Sequence, residues 1–125
     1  MVTKGFKQLL GAANAEVDAM SVQQALALAG NENVVFVDVR ETQEHQAGAI
    51  PGSVHAPRGL LEFVADPESP MHKPELASGK QLIIYCASGG RSALSAQTLQ
   101  QMGLDNVVNL IGGIAAWKEG GGEVA

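Results

Sequence analysis

Three short apolar runs constrain this chain more than any other feature: Val34-Val35-Phe36-Val37-Asp38-Val39, Leu82-Ile83-Ile84-Tyr85 and Val107-Val108-Asn109-Leu110. Each is short for a helix, and the Val and Ile content favours extended backbone. None alternates apolar with polar as a strand with one wet face does. Near-continuous apolar runs belong to parallel strands covered on both faces. Stretches at helical spacing separate them. Strand alternating with helix implies an α/β fold, a mainly parallel central sheet with helices on both faces.

The intervening pattern is specific in places. Residues 4–13 put Phe6, Leu9 and Leu10 on one face of a short helix. Ser21 followed by Gln24 is a capping-box pattern, and the helix it opens runs through Leu28 to a stop at Gly30. A short polar helix is expected at 41–46, a turn at Pro51-Gly52, and a further short helix at 58–65 before the loop around Pro67 and Pro70. Leu94, Thr98, Leu99 and Met102 define a helix from about Arg91 to Met102, ended by Gly103. Gly112-Gly113 precedes a last helix carrying Ile114 and Trp117. Residues 120–125, with three glycines, read as a frayed tail. No repeat or linker divides the chain, so one domain is expected over 1–125, with its core at about 17–119.

At 125 residues, such a domain buries about two thirds of its unfolded surface and needs neither disulfide nor structural metal to fold. The single cysteine, Cys86, forbids an internal disulfide or a multi-thiolate zinc site, and His45, His55 and His72 show no ligand spacing. No metal site is therefore expected. The net charge of −5 comes without runs of like sign, which argues against nucleic-acid and anionic-membrane partners. Lys4 and Lys7 are followed only by Leu9-Leu10, too little for a signal peptide, and the expected compartment is the cytoplasm.

The chemistry-bearing segment is Cys86-Ala87-Ser88-Gly89-Gly90-Arg91, set between a buried strand and an amphipathic helix. The Gly pair permits backbone conformations that turn successive N–H groups inward as an anion cradle. The helix that follows points its positive end at the same place. Arg91 adds a permanent cation. Together they favour a thiolate at Cys86 over a thiol. The competing reading is a buried structural cysteine at a strand end, since Cys is among the most buried residue types.

Four stretches resemble the rhodanese family over about residues 17–119. Val37-Asp38-Val39-Arg40-Glu41 with Glu44 resembles its "DVRE…E" signature, and Ala47-Gly48-Ala49-Ile50-Pro51-Gly52-Ser53 its "GHIPGA" segment. Residues 86–91, with Ser92 and Ala93 after them, resemble its active-site loop. Gly112-Gly113-Ile114-Ala115-Ala116-Trp117 resembles its "GGxxAW" ending. Two departures are visible. Ala49 stands where the family often has His, and Ala87 stands where thiosulfate-preferring members often carry Arg. The resemblance implies a three-layer α/β/α sulfurtransferase that works without a cofactor. Cys86 would take sulfane sulfur from a donor such as thiosulfate as a persulfide and pass it to a thiol, cyanide or a protein acceptor.

The same resemblance implies substrate binding by Ala87, Ser88, Gly89, Gly90 and Arg91. Arg58 is read either as facing an anionic donor at the pocket rim or as a solvated charge. Asp38 and Arg40 are expected to pair beneath the site, and the three histidines to be surface or loop residues. Ser92 is read as a helix cap or a substrate contact. Two alternatives remain at this stage. One is a non-catalytic interaction module, against which the retained Cys86 counts. The other is a phosphatase or arsenate reductase. Against it count the absence of a resolving cysteine and a C-x4-R loop one residue shorter than that of related phosphatases.

Overall fold

The structure is a computed structural model describing residues 1–125. In chain order the elements are α1 (Phe6–Glu16), β1 (Asp18–Met20), α2 (Val22–Ala27), β2 (Val34–Asp38), α3 (Thr42–Ala47) and β3 (Val54–His55). A 3-10 turn, Arg58–Leu60, leads into α4 (Leu61–Ala65), and a second, Pro74–Ala77, precedes β4 (Gln81–Tyr85). Then come α5 (Gly90–Gln101), β5 (Val107–Leu110) and α6 (Gly113–Glu119). The five strands form one parallel sheet in the order β1-β5-β4-β2-β3. The α/β class with a parallel sheet is thus as expected.

The alternation of side chains along β4 explains why its run is apolar throughout. Leu82, Ile84 and Cys86 enter one core with Val37, Val39, Leu61, Val64, Ala96 and Leu99. Ile83 and Tyr85 enter the other with Phe36, Leu110, Ile114 and Trp117. A strand buried on both faces has no polar side to show. Trp117 meets Phe36 edge-on at 5.3 Å and 66°, which fixes α6 against the sheet.

The capping box at Ser21 is present: its hydroxyl accepts from Gln24 N–H, and Gln24 Oε1 accepts from Ser21 N–H. Glu41 and Glu44 form a second one at the start of α3. The helix expected at 58–65 is split into the 3-10 turn and α4. Two strands were not expected. β1 has three residues and β3 two, so neither carries an apolar run long enough to read.

The C-terminal end also departs from expectation. Rather than fraying, it is placed against the body of the fold. Ala49 and Ala125 exchange backbone hydrogen bonds at 3.0 and 2.9 Å, and Trp117 Nε1–H donates to Glu123 O at 2.8 Å. Gly122 lies against the indole of Trp117, where any Cβ would clash. The glycines there serve close packing, not disorder.

The connection after β4 runs to β5 on one side, while that after β2 runs to β3 on the other. The adjacent carboxyl ends of β4 and β2 therefore flank a switch point, the place where open parallel sheets bind ligands. Cys86 follows β4 and Val39-Arg40 follow β2, so the chain delivers both to that crevice.

Candidate active site

Cys86 is 1 % exposed and points into the face covered by α5. The chain turns at Gly89, whose φ of +114° is open to glycine but strained for any side chain. That turn aims the Gly89 N–H at Cys86 Sγ, 3.1 Å away. Ser92 Oγ lies 3.3 Å from the same sulfur. Burial alone pushes the thiol pKa up. The Ser92 hydroxyl and the backbone N–H groups of Ser92, Gly89 and Ser88 outweigh it, and the net shift is downward. The cradle thus favours the thiolate, as expected of a sulfur at a helix N-terminus.

The loop is held from below by the start of α6. Ile114 N–H donates to Cys86 O at 2.9 Å and Ala115 N–H to Ala87 O at 3.2 Å. Gly113, at φ +60°, lies so close that a Cβ would sit 2.5 Å from Cys86 O. The Gly-Gly ending is therefore part of the site: it lets one helix start clamp the carbonyls of the nucleophile and its neighbour. Asn109 adds a second hold, its Nδ2–H donating to Gly89 O at 3.1 Å.

Arg91, expected to add its charge to the cradle, is also held by a carboxylate. Its guanidinium is engaged by Glu44, Nη1 to Oε1 at 2.7 Å and Nη2 to Oε2 at 3.0 Å. Arg91 holds the Glu44 carboxyl down at about 2. The pair ties α5 to α3 across the mouth of the crevice, with both side chains about one-third exposed. Arg58 is the less committed cation. It is exposed and makes no ion pair, while its backbone N–H donates to Val39 O at 3.0 Å, at the carboxyl edge of β2. Of the remaining loop residues, Ser88 is exposed, and Ala87 and Gly90 are partly buried. A shallow cavity of about 290 Å³ opens beside Ser88, Gly89 and Gly90, with Leu10 and Asn14 of α1 as its far wall.

Asp38 and Arg40 pair beneath the site as expected. Asp38 is fully buried and takes Arg40 Nη2–H at 2.7 Å and Nε–H at 3.0 Å. His45 Nδ1 sits 2.9 Å from Asp38 Oδ2 and the Tyr85 hydroxyl donates to it at 3.1 Å. Arg40 also donates to Gly48 O at 2.7 Å, fixing the turn after α3. Burial pushes the Tyr85 hydroxyl up to about 12, so it stays protonated. The histidines are more than loop decoration. His55 Nε2 lies 2.8 Å from Arg40 O, His72 Nδ1 lies 3.1 Å from Val64 O, and the rings of His45 and His55 stack at 4.4 Å.

Ser92 neither caps α5 nor reaches solvent. It is fully buried, with its Oγ between Cys86 Sγ and Asn109 Oδ1. Asn109 and Glu44 had no functional reading in the sequence. A polar residue inside an apolar strand was the available sign for Asn109. Nothing local marked Glu44 as the partner of Arg91, which lies 47 positions away.

A covered parallel sheet whose central strand ends in a cysteine, cradled by N–H groups at a helix start, defines a cysteine-loop α/β domain. The rhodanese-like domain model matches residues 21–120. A sulfurtransferase of Allochromatium vinosum is 36% identical over 106 residues, covering 85% of this chain and 90% of that protein. The thiosulfate:glutathione sulfurtransferase of Saccharomyces cerevisiae is 36% identical over 96 residues, 73% of this chain and 69% of that one. A solved structure from Rhodopseudomonas palustris, described as of unknown function and a possible tyrosine phosphatase, is 42% identical. It superimposes with a TM-score of 0.93 over 100% of this chain and 97% of its own. The chain belongs to the rhodanese family.

Proposed function

We propose that this chain is a sulfurtransferase that carries sulfane sulfur as a persulfide on Cys86. The observation that carries the reading is the sulfur itself: buried, facing the Gly89 N–H and the Ser92 hydroxyl, and biased towards the anion. The sulfurtransferase relatives support transfer in general, and the name of the yeast relative points to thiosulfate as donor and a thiol as acceptor. In the first half-reaction the Cys86 thiolate attacks the outer sulfur of thiosulfate. A bond forms to that sulfur, the bond to the sulfonate sulfur breaks, and sulfite leaves with its electron pair. In the second, an acceptor thiolate or cyanide attacks the outer sulfur of the persulfide and the Cys86 thiolate leaves. Loop N–H groups receive negative charge in both halves, without cofactor or metal. A protein thiol serves equally as acceptor, and the cytoplasm is the compartment we assign.

Two features favour sulfur over phosphoryl transfer. The Cys86-to-Arg91 loop spans six residues, and both terminal nitrogens of its arginine are already engaged by Glu44, which a phosphate would have to displace. Incubation with thiosulfate followed by intact-mass measurement tests the reading. One sulfur, about 32 Da, adds to the chain at its only thiol, and cyanide removes it. No gain in mass, together with Cys86-dependent hydrolysis of p-nitrophenyl phosphate, would replace this reading with the phosphatase one.

We also assign Arg58 to the capture of an anionic donor, because it is the exposed cation at this sheet edge with no carboxylate of its own. Arg58→Ala raises KM for thiosulfate severalfold with little change in kcat, and the effect shrinks at high salt, since a rim charge acts on ground and transition state alike. Steady-state kinetics at two ionic strengths check this. An unchanged KM removes Arg58 from the site.

A further inference from the structure

Asn109 is a polar side chain on an otherwise apolar strand, only 6 % exposed, and the transfer scheme gives it no task. Its contacts fix its orientation. Nδ2 faces Gly89 O at 3.1 Å, and a carbonyl oxygen only accepts, so the amide nitrogen must be on that side. Oδ1 then faces Ser92 Oγ at 2.6 Å. An amide oxygen also only accepts, so the Ser92 hydroxyl donates to it. The same hydroxyl lies 3.3 Å from Cys86 Sγ and has one proton.

Two arrangements follow from that single proton. With a neutral thiol, the S–H donates to Ser92 Oγ while Ser92 donates to Asn109, and every group is partnered. With a sulfur anion there is no S–H. The backbone N–H groups of Gly89, at 3.1 Å, and of Ser88 and Ser92 remain as donors. The Ser92 hydroxyl joins them only by turning away from Asn109 Oδ1, a buried oxygen with no other hydrogen-bond donor.

We propose that Asn109 is a positioning residue that competes with the Cys86 sulfur for the one Ser92 proton, so that the hydroxyl swings towards sulfur when charge sits there and back when the charge moves on. The consequence for catalysis rests on the sulfur-transfer reading. When the outer sulfur of a persulfide takes the charge, Sγ no longer needs the hydroxyl and Asn109 recovers it. The competition also keeps the resting sulfur from being over-stabilised, which preserves its nucleophilicity.

Of the charged groups at this end of the sheet, Arg91 on α5 is the one coupled to the sulfur, and Glu44 on α3 and Glu41 ahead of it face Arg91. The face that Cys86 enters is otherwise lined by apolar side chains from β2, α4, α5 and β5. Those three charged groups are constant in the test that follows.

Cys86 is the only thiol, so the pH dependence of iodoacetamide alkylation reads its ionisation alone. Ser92→Ala moves the midpoint up. Asn109→Ala moves it down by about half a unit to one unit, the size of one hydrogen bond, giving roughly three- to tenfold faster alkylation well below the midpoint. In the Ser92→Ala background, Asn109→Ala produces no downward shift. Asn109→Leu, which fills the space without an acceptor, repeats the downward shift and guards against a cavity effect. A residue that merely held the loop through Gly89 would move the midpoint up in both backgrounds. That result, or no shift in Asn109→Leu, overturns the proposal. Thiosulfate loading by intact mass on the same samples keeps the two readings apart. The expected shifts without sulfur uptake leave the positioning role and remove the transfer. Sulfur uptake without the shifts does the reverse.

Discussion

Cys86→Ser abolishes thiosulfate:cyanide sulfur transfer, with a loss of roughly a thousandfold or more, because the scheme has one nucleophile and no substitute for it. Cys86 is the only thiol in the chain. Replacing sulfur by a hydroxyl keeps the volume of the site nearly constant, yet the cradle that lowers a thiol pKa cannot ionise an alcohol some six or more units weaker as an acid. A weaker nucleophile therefore faces the donor in its neutral form. Two measurements check the outcome together: thiocyanate formation, and intact mass after thiosulfate, which stays unchanged in the variant. The fold should not suffer. Cys86 contributes packing and a backbone carbonyl held by Ile114 N–H, and serine preserves the second fully. Near-wild-type turnover in a correctly folded Cys86→Ser would mean that the persulfide is not on the path.

How far this site was legible in the sequence follows from the range of the interactions that build it. The Cys86 loop was legible because everything that shapes it is local: a strand that must be buried, two glycines, and a helix start within six positions. The same holds for the Ser21 capping box and the three central strands. What escaped the reading depends on partners far along the chain. Asp18-Ala19-Met20 is a strand only because β5 lies beside it, and Val54-His55 only because β2 does. Arg91 reads locally as a cation for the cradle, while in space it faces a carboxylate that satisfies it. Ser92 reads as a cap by position, yet in the fold its hydroxyl meets a side chain from β5. The tail reads as frayed by composition, yet its glycines let it lie against Trp117 and Ala49. The family signature bridges part of this gap: its Gly112-Gly113 ending names residues whose reason, the backbone of Cys86 and Ala87, lies about 26 positions upstream.

Asp38→Ala lowers global stability by roughly 3–5 kcal/mol, the usual cost of leaving one member of a buried ion pair without the other. Arg40 is 5 % exposed and its guanidinium is held by Asp38 through Nε and Nη2, so the variant leaves a buried charge without its carboxylate. The loss also frees His45 and Tyr85, both of which lie against Asp38 Oδ2. Against a total of about 5–15 kcal/mol for a domain, the variant sits near the edge of folding. Arg40→Met alone costs less than Asp38→Ala only if His45 and Tyr85 still satisfy the carboxylate. The double variant Asp38→Leu/Arg40→Met recovers much of the loss, since it strands no charge. The acid limb gives an independent check. Burial raises the Asp38 pKa, but hydrogen bonds from Arg40 and His45 outweigh it and the folded value lies below the ordinary one. A depressed carboxylate contributes stability that is complete above its unfolded pKa of about 3.9 and fades as pH falls through the folded value. Urea unfolding at pH 7 and at successively lower pH should therefore show the gap between wild type and Asp38→Asn narrowing only below about pH 4. Glu44, held at about 2 by Arg91, titrates in the same window, but it does so in both proteins and cancels in the difference. A gap that stays constant down to the acid transition would mean that Asp38 acts through its shape and not through its charge.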